Sequence, residues 1–361
     1  MKRRSARPFA KLGLLSICLA MTLGGMVLLR APQALLADDP IGPAPPDPLV
    51  LRGIELTVNH HYQEAQSCFD SLANSLPDHP AGPFFKAAVL HSRMLDYESD
   101  RGTAEFARLV QEAIASASRR LHQNPSDAWC LFFRGAAYGY RAFHAARQGQ
   151  YLAAFHDGQL SVQDLEKAVT LDSSLADAYL GIGSYKYWRG KLLRYLSWLP
   201  FVPDEREEGI RLIRLAIAKG RYCYLTGLND LAWVLIDAGR FDEAAQAAQR
   251  GLASYPESRF FLWPLAEAYF AKQDYPAAVH WYECLLASVL RAPENNHYNE
   301  IICRLKLARA YCALGQADKA RMHATTVLSL KLEKEIAQRA KKKLALAREI
   351  LERCGPPADA P

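Results

Sequence analysis

A repeat with a period of 34 residues is the feature that most constrains the fold. Residues 225–258 align with residues 259–292 without a gap, and a third copy begins at Ile301. The copies share small residues at two fixed positions, first Ala232, Ala266 and Ala308, and then Ala244, Ala278 and Ala320. Large apolar residues flank these alanines at helical spacing, which is typical of two helices that cross closely. The period therefore predicts stacked pairs of helices.

The rest of the chain supports the same architecture. From residue 49 onward apolar residues keep a helical period, and no alternating run is long enough for a strand. Gly239 and Gly315 stand where the first helix of their units should end, because glycine readily adopts the left-handed conformation that closes a helix. Pro256 follows the second helix of its unit, where a helix cannot continue. The sequence predicts an all-α fold.

This period and these residue types resemble the tetratricopeptide repeat (TPR) family, in particular its bacterial exported and envelope members. The resemblance implies a right-handed solenoid over residues 49–330. It contains about seven helix pairs, in units near 49–79, 80–125, 128–172, 176–220, 225–258, 259–292 and 301–330. The three units between residues 80 and 220 are longer than the standard period. Residues 331–353 are apolar on one side and charged on the others, which predicts a capping helix before a flexible tail at 354–361.

The first 37 residues predict export. Five basic residues precede an apolar run from Leu12 to Leu29, and Ala37 stands before the first acidic residue, Asp38. This order is typical of a secretory signal, and the run is also close to the length of an uncleaved membrane anchor. Either interpretation places the body of the protein outside the cytoplasm, periplasmic or anchored to the inner membrane and facing outward. Residues 38–48 are rich in proline and predict an extended linker.

Charge and motif content argue against several function classes. Six of the 44 Lys and Arg residues precede Asp38, so the basic balance of +6 belongs to the leader and does not indicate a nucleic-acid surface. The eight cysteines form no C-x-x-C pair, and no spacing suits a metal site. Phosphate-binding, zinc-protease and serine-hydrolase motifs do not occur. The sequence predicts no enzyme, no cofactor, no metal and no nucleic-acid partner.

The resemblance to the TPR family also implies which residues meet a partner. In that family the first helix of each unit lines a concave groove. Its second, fifth, ninth, twelfth and thirteenth positions face the ligand. Here such positions are mostly aromatic: Trp129, Phe132, Tyr140, Tyr187, Trp188, Asn229, Trp233, Phe260, Trp263, Glu267 and Phe270. Only Asn229 fits the carboxylate clamp of some members. Aromatic rings are common at binding hot spots, and packing against a neighbouring unit is the alternative for each ring.

An apolar tract interrupts the fourth unit. It covers about residues 191–203 and contains six large apolar side chains: Leu192, Tyr195, Leu196, Trp198, Leu199 and Phe201. The tract is too short, and too polar on one side, to span a membrane. We expect a lid folded over the aromatic groove, and a docking or membrane-surface patch is the alternative.

Together these features predict a non-catalytic scaffold of the cell envelope that binds a protein segment in an aromatic concave groove. A glycan- or lipid-binding factor of a surface-polymer or transport system is the second hypothesis, since aromatic rings also stack on sugars. Membrane association would depend on the N-terminal segment. The identity of the partner and the oligomeric state stay open.

Overall fold

Helices fill the part of the chain that the computed structural model describes, which is residue 45, residues 47–193 and residues 204–353. Fifteen helices and no strand occur in these residues. They are α1 Asp47–Val58, α2 Tyr62–Ser75, α3 Ala81–Asp96, α4 Thr103–Gln123, α5 Ala128–Arg147, α6 Tyr151–Leu171, α7 Ala178–Leu193, α8 Arg206–Lys219, α9 Tyr224–Asp237, α10 Phe241–Leu252, α11 Arg259–Lys272, α12 Tyr275–Arg291, α13 Tyr298–Ala313, α14 Ala317–Ser329 and α15 Lys334–Arg353.

Each helix packs most closely on the helices before and after it in the chain. The pairs α1–α2 to α13–α14 form seven units, and α15 packs on α13 and α14 at the end of the array. Each first helix also contacts the first helix of the next unit, as α7 does with α9 and α9 with α11. The predicted all-α TPR-like solenoid with a terminal helix is therefore confirmed.

Small residues allow the helices to approach one another, as the repeat predicted. The six alanines shared by the last three units have no exposed surface. In the fourth unit the contact is closer still, because α7 and α8 meet at Gly183 and Gly209. A Cβ built on Gly183 would lie 2.6 Å from the carbonyl oxygen of Gly209, which is closer than any real contact. No larger residue fits this crossing without moving the helices apart.

Glycine ends the first helix in units five and seven. Gly239 and Gly315 have φ angles of +78° and +71°. The backbone N–H of Arg240 donates to the carbonyl of Leu235 at 2.8 Å, which satisfies a carbonyl that the last helical turn leaves without an intrahelical partner. These two helix ends lie where the sequence predicted them.

The extra residues of units two and three lengthen the helices. Helices α4, α5 and α6 contain 21, 20 and 21 residues. In unit four, α7 continues to Leu193, so the apolar tract that the sequence placed at 191–203 begins inside a helix. Residues 194–203 of that tract lie outside the described residues.

The N-terminal end of the described chain is fixed to the helical body. Helix α1 begins at Asp47, inside the predicted linker 38–48, and Pro45 is buried. The hydroxyl of Tyr222 donates to the carbonyl of Pro45 at 3.1 Å. The last residues of the predicted linker are thus part of the fold, because their backbone and side chains bind the α8–α9 loop. The leader and the tail lie outside the described residues, and no described helix is both long and apolar enough to cross a membrane.

A buried ion pair joins the second unit to the sixth. Arg259, the first residue of α11, donates from Nε and Nη2 to the two carboxylate oxygens of Asp96 at the end of α3, at 2.8 and 2.5 Å. Both side chains are only 7% exposed. The hydroxyl of Tyr62 also donates to Asp96, at 2.9 Å, and the backbone N–H of Arg259 donates to Nε2 of His60, at 2.9 Å. Asn299 of α13 donates to the carbonyl of Asp96 at 2.6 Å.

We call these five residues, His60, Tyr62, Asp96, Arg259 and Asn299, the clasp. In a simple solenoid each unit contacts only its neighbours. Here the clasp holds the first two units against units six and seven, more than 160 residues away in the chain. A further contact reaches the last helix, where Arg339 donates to the carbonyl of Glu98 at 2.6 Å. The array is therefore closed by its own ends.

Candidate functional site

The predicted groove residues of unit three lie in the core. Trp129 and Phe132 are buried, and the ring of Trp129 packs against Tyr222 with 5.9 Å between centroids. Tyr140 is half-buried and packs edge-to-face on His91 of α3 at 4.8 Å. These three aromatic residues therefore contact their own chain, through Tyr222 of the α8–α9 loop and His91 of α3. Trp129 and Phe132 offer no open surface to a partner.

Tyr187 and Trp188 point in different directions from α7. Tyr187 is 1% exposed, and its hydroxyl donates to Asp237 at 2.8 Å. This predicted partner contact is corrected to a core residue, because a partner cannot reach the ring while the unit is folded. Trp188 is 43% exposed, with the ammonium group of Lys191 5.0 Å from its ring centroid. Lys191 also forms an ion pair with Asp237, which links the end of α7 to α9.

Further aromatic side chains at predicted groove positions lie on α9 and α11 and are exposed or half-buried. Trp233 is 37% exposed on α9, one helical turn before the Asp237 that binds Lys191. Three rings of α11 are half-buried: Phe260, Trp263 and Phe270. Asn229 donates its side-chain amide to the carbonyl of Phe260, so it joins α9 to α11 and is not free for a ligand. We use the name open groove for Trp188, Leu192, Trp233, Trp263 and Phe270, the exposed or half-buried side chains at positions where the sequence predicts a groove or its lid.

A charge network borders the open groove at α13. Lys306 donates to both carboxylate oxygens of Glu267 at 2.6 Å, and its ammonium group lies 4.1 Å from the ring centroid of Phe270. Glu267 also accepts a hydrogen bond from the hydroxyl of Tyr282. Burial lowers the pKa of Lys306, and burial raises the pKa of Tyr282. Glu267 is half-buried, and its carboxylate already binds Lys306 and Tyr282. This predicted groove residue is therefore an internal partner of Lys306.

Two charged residues that the sequence analysis missed also lie at the groove. Asp230 on α9 accepts a hydrogen bond from the hydroxyl of Ser184 on α7, and burial raises its pKa to about 6. Arg309 on α13 is exposed, with its guanidinium carbon 5.1 Å from the ring centroid of Phe270. The repeat register contained a signal for Arg309, because it follows Ala308 as Trp233 follows Ala232. The sequence-based groove assignment ended one unit too early to include it.

Of the predicted insertion residues, only Leu192 lies in the described part of the chain. It is 47% exposed near the end of α7, four residues after Trp188, and so belongs to the same helix face. Tyr195, Leu196, Trp198, Leu199 and Phe201 lie outside the described residues.

The described side chains offer neither a set of metal ligands nor an activated buried thiol. Among residues 47–193 and 204–353, no cluster of three or more His, Cys, Asp or Glu side chains could hold a metal ion. The thiols of Cys130, Cys223 and Cys303 are buried, and this burial raises their pKa values, which makes them poor nucleophiles. Exposed indole rings beside a half-buried carboxylate and an exposed guanidinium suit contact with a polypeptide.

Comparison with known proteins agrees with the helix-pair architecture. Residues 260–333, which span units six and seven, match the tetratricopeptide repeat family. A 111-residue stretch is 32% identical to the RxLR effector protein SFI4 of Phytophthora infestans strain T30-4. The match covers 28% of this chain and 33% of SFI4, so the chain spans only about a third of that relative.

Two solved structures match the chain at low sequence identity and with TM-scores below 0.5. PilW, a type IV pilus biogenesis factor, is 16% identical with a TM-score of 0.46, over 70% of this chain and 97% of PilW. The TPR protein TTC0263 of Thermus thermophilus is 18% identical with a TM-score of 0.39, over 62% of this chain and 98% of that protein. Likenesses at this level carry no functional argument. Residues 260–333 match the tetratricopeptide repeat, and the seven helix pairs have the all-α helical-repeat architecture that such repeats form.

Proposed function

We propose that the protein is a non-catalytic scaffold that binds a segment of another protein in the open groove. TPR folds serve as protein-interaction scaffolds, and the observation that carries the finer proposal is the exposure of Trp188 and Trp233. Both rings lie on first helices of neighbouring units, at 43% and 37% exposure. Partly exposed indole rings on two neighbouring first helices favour a partner, because tryptophan is enriched at binding hot spots.

The clasp supports this proposal because it fixes the shape of the groove. It ties units one and two to units six and seven through buried groups, so the first helices cannot spread freely. A preformed groove loses less conformational entropy when a partner binds. The half-buried rings Phe260, Trp263 and Phe270 are likewise held in place by neighbouring helices.

We place this function in the cell envelope, outside the cytoplasm. The leader at 1–37 favours export. Membrane association through an uncleaved leader is part of the proposal. Detection of the mature N-terminus by mass spectrometry of the native protein distinguishes a cleaved signal from an anchor.

A site-specific photo-crosslinker tests the proposal directly. The full chain is expressed in its native host with the crosslinking residue at position 233 or, as a control, at Met322, which is 54% exposed on the second helix of unit seven. We expect discrete protein adducts from position 233 that Trp188→Ala weakens, and none of the same adducts from position 322. Identical adducts from both positions, or adducts to lipid or glycan alone, would contradict a protein-binding groove.

A further inference from the structure

The first helices that line the open groove contain two charges without an ionic partner among the described residues. Charged residues on α7, α9, α11 and α13 otherwise form ion pairs within the described part of the chain. These pairs are Lys186–Glu205, Arg189–Glu205, Lys191–Asp237, Arg259–Asp96, Lys306–Glu267, Lys272–Asp242 and Arg304–Glu300. The exceptions are Asp230 and Arg309, which carry opposite charges.

Asp230 is a half-buried carboxylate whose side chain has one polar contact, the hydroxyl of Ser184. Loss of water without a nearby cation raises its pKa to about 6, so it remains largely ionised at pH 7. A carboxylate in this setting is stabilised by any cation that reaches it. Trp233 lies three residues further along α9, on the same face, and offers its ring to the aliphatic part of a lysine or arginine side chain.

Arg309 on α13 is the positive charge without an ionic partner among the described residues. It is exposed, and its guanidinium lies over the ring of Phe270 without a carboxylate partner among the described residues. Stacking on an aromatic ring holds the planar guanidinium in place while leaving its N–H groups available. A carboxylate of a ligand can accept two hydrogen bonds from such a group.

The two charges lie on helices that are separated by two helix-to-helix steps, from α9 to α11 and from α11 to α13. Packed helices are about 8–10 Å apart, which gives roughly 16–20 Å. An extended peptide rises about 3.3 Å per residue, so this distance corresponds to about five or six residues.

We propose that the partner segment is an extended peptide that places a lysine or arginine at Asp230 and, about five or six residues away, an aspartate or glutamate at Arg309. Apolar side chains between these two residues contact Trp233 and Phe270. The two charges fix the direction in which the peptide lies across the helices. This inference rests on the proposed peptide-binding function and adds the chemistry and polarity of the ligand.

The test is selection from a displayed library of random twelve-residue peptides on the purified full chain. Parallel selections use the wild type, Arg309→Glu and the control Arg119→Glu, an exposed arginine on α4. The affinity of synthetic peptides from the wild-type selection is then measured for the wild type, Asp230→Asn, Arg309→Glu and Trp233→Ala. Circular dichroism and thermal unfolding verify that each variant is folded.

We expect wild-type peptides to contain a basic and an acidic residue at the stated spacing, and Asp230→Asn or Arg309→Glu to weaken their binding at least tenfold. Selection on Arg309→Glu should replace the acidic residue with a basic one, whereas Arg119→Glu should select the wild-type pattern. Trp233-dependent peptides without this pair, or a pair that does not follow the charge reversal, overturn the inference and leave the scaffold proposal intact. If no selected peptide depends on Trp233, both are overturned.

Discussion

Replacing Arg259 with methionine should strongly destabilise the protein, because it leaves the carboxylate of Asp96 buried without its cation. The two side chains are 7% exposed and joined by two hydrogen bonds of 2.8 and 2.5 Å. Breaking a buried ion pair of this kind costs about 3–5 kcal/mol in the free energy of unfolding. Arg259→Met also removes the contact with Ser288 on α12, which adds a smaller loss.

A double-mutant cycle isolates the contribution of the pair. Asp96→Leu alone should cost a similar amount, because it strands the guanidinium of Arg259. The double variant leaves no buried charge, so we expect it to cost much less than the sum of the two single changes. The hydroxyl of Tyr62 would still lose its acceptor, which leaves a residual cost of about 1–3 kcal/mol.

Urea unfolding of the full chain at pH 7, followed by circular dichroism, measures these free energies. Arg211→Met is the matched control, because Arg211 forms an exposed ion pair with Glu208 on α8, and such pairs contribute about 0–1 kcal/mol. A loss for Arg259→Met no larger than that for Arg211→Met would refute the clasp as a source of stability. Additive costs in the double variant would refute the claim that the two charges act as a pair.

Three further outcomes follow from packing and protonation. Gly183→Ala should lower the unfolding temperature measured by circular dichroism, because its Cβ would meet a backbone carbonyl of α8 at 2.6 Å and overpacking costs about 1–3 kcal/mol. Burial lowers the pKa of His60 from 6.5 to about 4, so the unfolded chain binds the proton first as the pH falls. The free energy of unfolding should therefore not depend on His60 protonation above pH 6.5, and it should fall by about 3 kcal/mol between pH 6.5 and 4. His60→Gln should remove that part of the pH dependence in urea titrations. Trp129→Ala should cost about 3–5 kcal/mol in unfolding free energy, and Trp233→Ala should cost less, because 37% of Trp233 is already exposed.

Local features of the fold follow from the sequence because they repeat. The alanines at 34-residue spacing mark helix crossings, and Gly239 and Gly315 end their helices in the left-handed conformation. Each of these features is decided by residues within one or two units of it. Solenoid stability is built from such neighbouring contacts, so the pattern is visible in a single sequence.

Two features could not be predicted in the same way: the clasp, and which of the predicted groove residues are buried and which are exposed. Asp96 and Arg259 are 163 residues apart, and neither lies in a motif that marks the other as its partner. Trp129 and Trp233 are both predicted groove residues on first helices, yet only Trp129 is buried, and Tyr222 from the α8–α9 loop packs on it. The family pattern identifies groove positions, but contacts from other units decide which of them reach solvent.

Side-chain oxidation by hydroxyl radicals tests the open groove most directly. The full chain is exposed to radicals with and without a saturating library-selected peptide, and oxidation at each tryptophan is read by mass spectrometry. We predict that Trp188 and Trp233 are oxidised in the free protein and protected in the complex, while Trp129 is unreactive in both. Protection confined to the exposed Tyr151 and Leu152 of α6, or no protection at Trp233, would contradict the account.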